Sequence, residues 1–172
     1  MKKQGFTLIE LMVVIVIMGI LAAVAVPKLF GMIAKSKASE VGPAAGEYVK
    51  LQNAFVTESN AMGNFTQVGY EMNNTINFDY AEPDGNKSWA NGTLAIPASG
   101  NTNLWSAKNK VALNACTADH YWVLSGTKAS GSGIQYVGGL GTAASATTYA
   151  TDDASKACIA LTASFKSIDD NN

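Results

Sequence analysis

The chain has 172 residues, 12 lysines and arginines against 13 acidic residues, and a net charge of −1. This balance excludes the basic excess with which nucleic-acid-binding proteins contact phosphates. One histidine and two cysteines, with no CxxC pair, do not supply four closely spaced ligands for a structural metal site. We therefore expect no nucleic-acid partner, no bound metal and no cofactor.

The first predicted element is a long apolar helix over residues 6–26, preceded by Lys2, Lys3 and Gly5. At about 1.5 Å per residue the run reaches roughly 30 Å, the thickness of a bilayer's hydrocarbon core. It is too long for an ordinary secretory signal, although a removed signal and a simple N-terminal anchor both stay open. Neither alternative explains Glu10, because a carboxylate inside such a helix is costly.

Gly5-Phe6-Thr7-Leu8-Ile9-Glu10, followed by an unbroken apolar helix, resembles the class III signal of type IV pilins. The resemblance extends from Lys2 to about Lys37. It implies that a prepilin peptidase cleaves between Gly5 and Phe6 on the cytoplasmic side and that the new Phe6 amine is methylated. It also implies a precursor held in the bacterial inner membrane and then assembled into an extracellular pilus filament.

Glu10 has a role under this resemblance. In the family the corresponding glutamate pairs with the terminal amine of a neighbouring subunit, here Phe6. An unpaired carboxylate is costly in a low-dielectric environment, and pairing recovers much of that cost. Glu10 would then set the register of each added subunit. The alternative is a residue at the membrane edge whose carboxylate reaches water.

Two further features interrupt the predicted helix. Gly19 and Pro27 weaken helical hydrogen bonding, and Gly42-Pro43 predicts a second bend. In pilins the segment between such a glycine and proline can lose helicity in the filament, whereas a simple kink is the alternative. Beyond Pro27, apolar positions at helical spacing predict a stripe that packs on the rest of the chain. The stripe comprises Phe30, Ile33, Val41, Ala45, Tyr48, Leu51 (or Gln52) and Phe55.

The fold class is therefore α+β: a long N-terminal helix packed on a small antiparallel sheet of four or more strands. The predicted segments are a leader over 1–5, a membrane helix over 6–26, its amphipathic continuation over 27–60 and a head over 61–172. Predicted strands cover Thr75–Tyr80, Thr93–Ile96, Val111–Ala115, His120–Leu124 and Ile134–Val137. We expect a turn at Glu82–Gly85, a loop over Gly138–Thr148, and a strand or short helix over Ala157–Phe165.

Cys116 and Cys158 fit one disulfide in an exported domain or two buried thiols in a cytosolic one, and the membrane segment favours export. The resemblance implies the disulfide, with residues 116–158 forming the exposed, variable face of a filament. A loop of that size would stabilise the head by roughly 4 kcal/mol.

Residues suited to catalysis are sparse. We expect His120 to be a strand residue and the pairs Asp152-Asp153 and Asp169-Asp170 to be solvated, with a calcium site at one such pair as an alternative. The aromatic residues favour a core, against a carbohydrate-stacking surface formed by Trp89, Trp105, Trp122, Tyr80, Tyr121 and Tyr136. Glycosylation sequons begin at Asn64, Asn73 and Asn91, and a longer one surrounds Asn86; chance explains such matches in this composition.

The sequence thus predicts a structural subunit of a type IV pilus, not an enzyme. Its predicted partners are copies of itself in a helical filament, the prepilin peptidase and the pilus assembly machinery. The pilus would serve adhesion, motility or a related task, and no surface ligand can be named. Two alternatives are a pseudopilin of a type II secretion system and a membrane-tethered binding module.

Overall fold

The structure is a computed structural model that describes residues 5–82, 92–131 and 133–168. Two consecutive helices lead into a small head: α1 (Leu8–Ala38) and α2 (Val41–Ser59). The elements of the head are β1 (Ala61–Gly63), α3 (Phe65–Val68), β2 (Phe78–Ala81), β3 (Thr93–Ala95), β4 (Thr102–Asn109), β5 (Tyr121–Lys128), β6 (Ile134–Gly141), α4 (Asp153–Leu161) and α5 (Ala163–Lys166). The predicted α+β class is confirmed.

The two long helices are separated by Ser39 and Glu40. Pro43 has no backbone N–H to donate to the carbonyl of Ser39, four residues earlier, and its ring would crowd that carbonyl. Within the first turn of a new helix the missing N–H costs little, because no intrahelical partner is available there. The bend predicted at Gly42-Pro43 therefore appears as a short interruption just before these residues. Pro27, in contrast, lies inside α1, and the segment from Gly19 to Pro27 is helical throughout.

The main sheet has four antiparallel strands in the order β2-β4-β5-β6, and β1 pairs with β3 in a separate two-stranded sheet. The predicted sheet of at least four strands is confirmed. No strand was predicted at β4, which lies inside the sheet between β2 and β5. Leu104 and Trp105 of β4 are buried although the strand also contains Asn, Ser and Lys. Pairing on both edges, rather than an apolar composition, makes this segment central.

The core lies between α2 and the sheet. Val41, Ala45 and Tyr48 are fully buried on the predicted stripe, and the third turn of α2 buries Gln52 rather than Leu51. With its side-chain nitrogen facing Gly63, the Gln52 amide donates to the Gly63 carbonyl at 3.1 Å and accepts from the Gly63 N–H at 3.2 Å. Burial of an amide is compatible with a core because both of its groups are hydrogen-bonded. Gln52 thereby ties α2 to β1.

The prediction is wrong for the N-terminal part of the stripe. Phe30 and Ile33 are 60% and 51% exposed, whereas Ala34 and Ala38 are the buried residues of α1. The head contacts only the end of α1, and it does so through small side chains that permit close approach. Among the described residues, the apolar surface of α1 before Ala34 is therefore uncovered.

Two predicted elements need correction. Val111–Ala115 is not a strand but a tight turn, in which Leu113 and Cys116 exchange backbone hydrogen bonds of 2.7 and 3.1 Å. Asn114 takes a left-handed backbone conformation, with φ 58°. The Asn109 side chain donates to the carbonyls of Val111 and Thr117, so a side chain satisfies groups that a strand would otherwise pair.

The tract Gly138–Gly141 is strand rather than loop, because β6 continues along β5 to the pair Tyr121 and Gly141. Its glycines serve close packing: a Cβ at Gly139 would lie 2.8 Å from the carbonyl oxygen of Ala146. The chain after β6 folds back over the strand, and Ala150 N–H donates to the Leu140 carbonyl at 2.8 Å. The loop predicted over Gly138–Thr148 therefore begins only after Gly141.

The remaining elements differ from prediction mainly at their ends. β2 starts at Phe78 rather than Thr75, because the Thr75 hydroxyl accepts from the Asn77 and Phe78 N–H groups in a turn. β3 ends at Ala95, and β5 begins just after His120 and continues to Lys128. For Ala157–Phe165 the helical alternative is correct, since the segment lies in α4 and α5. The turn predicted at Glu82–Gly85 falls, beyond Glu82, outside the described residues.

Candidate functional site

The predicted cleavage bond joins two exposed residues just ahead of α1. Gly5 and Phe6 lie before the helix starts at Leu8, and Phe6 is 87% exposed. A Cβ placed on Gly5 would meet no non-adjacent described atom within 4 Å. The Gly5–Phe6 bond is thus in an accessible, non-helical segment, the kind of backbone that a protease can bind in extended form.

Glu10 is held by Thr7. The Thr7 N–H and the Thr7 hydroxyl both donate to one Glu10 carboxylate oxygen at 2.7 Å, and the Glu10 N–H donates back to the Thr7 hydroxyl at 3.4 Å. This reciprocal pattern is a capping box, which satisfies helix N–H groups that lack an intrahelical partner. Thr7 was not among the predicted functional residues although its signal is present in the sequence, since Thr-x-x-Glu ahead of an apolar run is the capping-box signature.

The structure does not bring Phe6 and Glu10 of one chain together; within the described residues, the Glu10 carboxylate is bonded to Thr7 alone. Thr7 thereby partly satisfies the carboxylate at the start of a helix, where the helix dipole also favours negative charge. A pairing between Glu10 and a Phe6 amine would need a second chain.

From Leu11 to Val26, α1 presents apolar side chains on all sides. Among the described residues, the consecutive helices α1 and α2 contain one stretch long and apolar enough to cross a membrane, and its most apolar window is entirely uncovered. An all-round apolar helix is typical of a membrane span or of burial among other helices. A surface of this kind needs lipid or protein around it.

The disulfide between Cys116 and Cys158 is present and fully buried. It joins the turn after β4 to α4, whose first turn is capped by Asp152 accepting from the Ser155 N–H at 2.9 Å. Hydrogen bonds from Ser155 lower the pKa of Asp152. Asp153 is exposed and forms an ion pair with Lys156 at 3.4 Å, so this acidic pair caps a helix.

Most candidates for a sugar-binding surface belong to the core. Trp105 and Trp122 are fully buried, and their indole N–H groups donate to Tyr70 and Thr162 at 3.0 and 2.8 Å. Tyr80 and Tyr136 are also buried, which leaves Tyr121 as the one partly exposed member that the structure describes. The carbohydrate-stacking alternative is therefore wrong for these residues. Trp89 lies outside the described ranges.

The remaining single-residue predictions have simple structural settings. His120 immediately precedes β5 and is 3% exposed. Asn64 caps α3 by accepting from the Gln67 N–H at 2.8 Å, and Asn73 is exposed. The sequons at Asn86 and Asn91 and the pair Asp169-Asp170 fall outside the described residues.

Residues 1–26 match a family profile described as a prokaryotic N-terminal methylation motif. The chain is 34% identical over 103 residues to the type IV major pilin protein PilA of Myxococcus xanthus, covering 58% of this chain and 47% of the relative. It is 32% identical over 116 residues to the type IV major fimbrial protein FimA of Dichelobacter nodosus, covering 67% of this chain and 70% of the relative.

A shorter match is found with the type II secretion system core protein G of Escherichia coli, 51% identical over 53 residues, or 31% of this chain and 34% of the relative. No solved structure matches the chain. The fimbrial match, in contrast, extends well beyond the N-terminal helix into the head. The methylation motif, the exposed apolar helix on a disulfide-bonded β-rich head, and the extent of this match together show that the chain belongs to the type IV pilin family.

Proposed function

We propose that this chain is a structural subunit of a type IV pilus, assembled through its N-terminal helix. The single observation that carries the proposal is α1 itself: an uncovered apolar helix that is preceded by Phe6, has Glu10 in its first turn and is joined to a separately packed head. Its relatives are named as major pilin and fimbrial proteins, not as enzymes.

The first step is processing. A prepilin peptidase removes the leader, residues 1–5, by cleaving the exposed Gly5–Phe6 bond at the cytoplasmic face of the inner membrane. The new Phe6 amine is methylated and keeps its positive charge as a secondary ammonium. Residues 6–26 hold the subunit in the membrane, because an apolar helix of this length matches the hydrocarbon core.

Assembly then exchanges one partner of Glu10 for another. In the single chain Thr7 satisfies the carboxylate through two hydrogen bonds. In the filament, Glu10 would pair with the Phe6 ammonium of an adjoining copy, which neutralises the negative charge that the uncharged donors of Thr7 leave in place. A subunit at the wrong height would leave both charges unmatched in an apolar core, at a cost of several kcal/mol.

Segment 27–60 carries the head, residues 61–172, on the outside of the filament, and the region bounded by Cys116 and Cys158 faces the surroundings. Gly19 and Pro27 give the core helix weak points at which its hydrogen bonds can open on packing. The pilus assembly machinery and further copies of this chain are the partners of this cycle.

A pseudopilin role is the second candidate, supported by the match with the secretion protein over 53 residues. Major pseudopilins usually lack a C-terminal disulfide and carry a calcium site. Here Cys116 and Cys158 form a disulfide, which favours the pilin.

Shearing surface fibres from the native cells, with electron microscopy and intact mass of their subunit, tests the proposal. We expect fibres whose major subunit is this chain, starting at Phe6 with one added methyl group and no free thiol. Fibres that lack this chain would contradict the proposal. So would a deletion strain that keeps its fibres and loses secretion of folded enzymes, which is the pseudopilin outcome.

A further inference from the structure

A buried histidine lies beside the disulfide. One ligand atom each from Cys116, Cys158 and His120 lie within 4.8 Å of one another, and all three residues are buried. Two sulfurs and one imidazole nitrogen are the donor types that zinc and related thiophilic cations prefer. Three protein ligands are sufficient for a site whose fourth position is open.

The orientation of His120 suits a metal ligand. Its Nδ1 lies 3.1 Å from the backbone carbonyl oxygen of Thr117. A carbonyl only accepts, so Nδ1 carries the hydrogen, and in the neutral ring Nε2 then holds the lone pair. Metal-binding histidines commonly have this arrangement, with the second ring nitrogen donating to a backbone carbonyl.

The other nitrogen, Nε2, is buried and has no hydrogen-bond partner among the described residues. Leaving a buried polar atom without a hydrogen-bond partner is destabilising. His120 therefore has one ring nitrogen without a hydrogen-bond partner among the described residues, and a nitrogen of this ring lies within 4.8 Å of both sulfurs.

The turn that holds Cys116 and His120 is fixed without the help of the disulfide. The Asn109 side chain donates to the Thr117 carbonyl at 2.7 Å and accepts from the His120 N–H at 2.7 Å. Asp152 independently starts the helix that carries Cys158. The three ligand residues can thus be near one another while both cysteines are still thiols.

We propose that, before its disulfide forms, this chain binds one thiophilic cation of the zinc class through Cys116 Sγ, Cys158 Sγ and His120 Nε2. Binding displaces the two thiol protons, so the bound form has two thiolates and a neutral imidazole. When the disulfide closes, the thiolates give two electrons to the disulfide of a thiol–disulfide oxidant, whose S–S bond breaks; the oxidant leaves as two thiols after taking two protons from water, and the cation is released. The cation site and the disulfide exclude each other, and the cation keeps the unoxidised cysteines paired.

The test uses the full chain in detergent micelles, reduced with a phosphine, freed of reductant and titrated with cobalt(II) under argon. We expect one cobalt(II) per chain, with the thiolate charge-transfer and tetrahedral ligand-field absorption bands, lost on addition of zinc(II). The oxidised chain should show neither band. A reduced chain without these bands, or an oxidised chain with them, would overturn the proposal.

Two variants test whether His120 itself binds the cation. His120→Gln should weaken cobalt(II) binding by about 10-fold or more, whereas Asp119→Asn, a change at the exposed neighbouring residue, should leave it unchanged. If His120→Gln disturbs folding, as judged by circular dichroism, the reduced unmodified chain still decides the matter. Its two thiols should react with a maleimide at least about 10-fold more slowly in zinc(II), and equal rates would overturn the proposal.

Discussion

Replacing Gly42 by alanine should loosen the docking of α5 onto α2. A Cβ at Gly42 would lie 2.7 Å from the Cβ of Ser164 and 2.1 Å from its Oγ, with the Phe165 backbone nitrogen at 3.3 Å. The hydroxyl can rotate away, but the Ser164 Cβ moves only with its backbone. The C-terminal helix would therefore have to shift away from α2, carrying the buried Phe165 with it.

The magnitude follows from two opposing effects. Overpacking of this kind costs about 1–3 kcal/mol, whereas alanine gains up to about 1 kcal/mol over glycine in a helix, and less in the first turn. We expect a net loss of about 1–2 kcal/mol in the free energy of unfolding of the head. For a domain of this size that lowers Tm by roughly 3–6 °C per kcal/mol.

Gly46→Ala is the matched control, because this position in the same helix has no atom within 4 Å of an added Cβ. It should raise the free energy of unfolding by about 0.5–1 kcal/mol. Both variants can be unfolded in denaturant as full chains in detergent, with the fluorescence of the buried Trp105 and Trp122 as the readout. Adding Ser164→Gly should reduce the cost of Gly42→Ala, which a double-mutant cycle measures. If Gly42→Ala proves as stable as Gly46→Ala, the close contact between α2 and α5 is wrong.

Three further predictions concern processing, the disulfide and pH. Gly5→Val should leave uncleaved precursor in the membrane, because the branched side chain blocks the protease subsite before the Phe6 bond; cleavage at the normal position, seen by mass spectrometry, would contradict this. Cys158→Ser should lower the free energy of unfolding by about 2–5 kcal/mol and reduce fibre yield, with membrane insertion intact; unchanged stability in denaturant would contradict it. Burial raises the pKa of Tyr70 to about 12, although the hydrogen bond from Trp105 lowers it. In the unfolded chain the pKa of a tyrosine is about 10. The neutral Tyr70 side chain therefore stabilises the fold fully below pH ~10, and this stabilisation is lost between pH ~10 and ~12. Tyr70→Phe should reduce the slope of the free energy of unfolding against pH in this range. Parallel curves for the variant and the unmodified chain would show that Tyr70 does not cause this loss.

Patterns that repeat along a continuous stretch of the chain were predictable from the sequence. The apolar run, Pro43 and the positions Val41, Ala45 and Tyr48 determine the helices and the face that packs on the head, because a 3.6-residue period is a local property. The disulfide was predictable once export was inferred from the N-terminal segment.

Features that depend on distant chain segments were not predictable. β4 became central through its neighbours on both edges, although its own composition is polar. The strand at Gly139 depends on the chain at Ala146, which passes too close for any side chain. Phe30 was placed on the buried stripe because periodicity does not reveal where the head stops. The placement of His120 beside the disulfide is likewise tertiary, whereas the Thr7 cap was local and was missed.

The central claim is that Glu10 serves assembly, and Thr7→Ala supplies the control for it. Glu10→Leu removes the carboxylate at similar bulk, so membrane insertion should be unharmed or slightly improved. Both variants remove the capping box, whose loss costs about 0.5–2 kcal/mol, but only Glu10→Leu leaves the Phe6 ammonium of the adjoining copy without a partner. Breaking a buried pair costs about 3–5 kcal/mol, which is a factor of 10² or more in each addition step.

The decisive measurement is therefore the ratio of surface fibres to processed subunit in the membrane, compared for Glu10→Leu, Thr7→Ala and the unmodified chain in one strain. We expect Glu10→Leu to give a stable pool of cleaved subunit and essentially no fibres, while Thr7→Ala keeps a substantial yield. Normal fibres from Glu10→Leu, or an equal loss in both variants, would show that Glu10 only caps its own helix and would contradict the account.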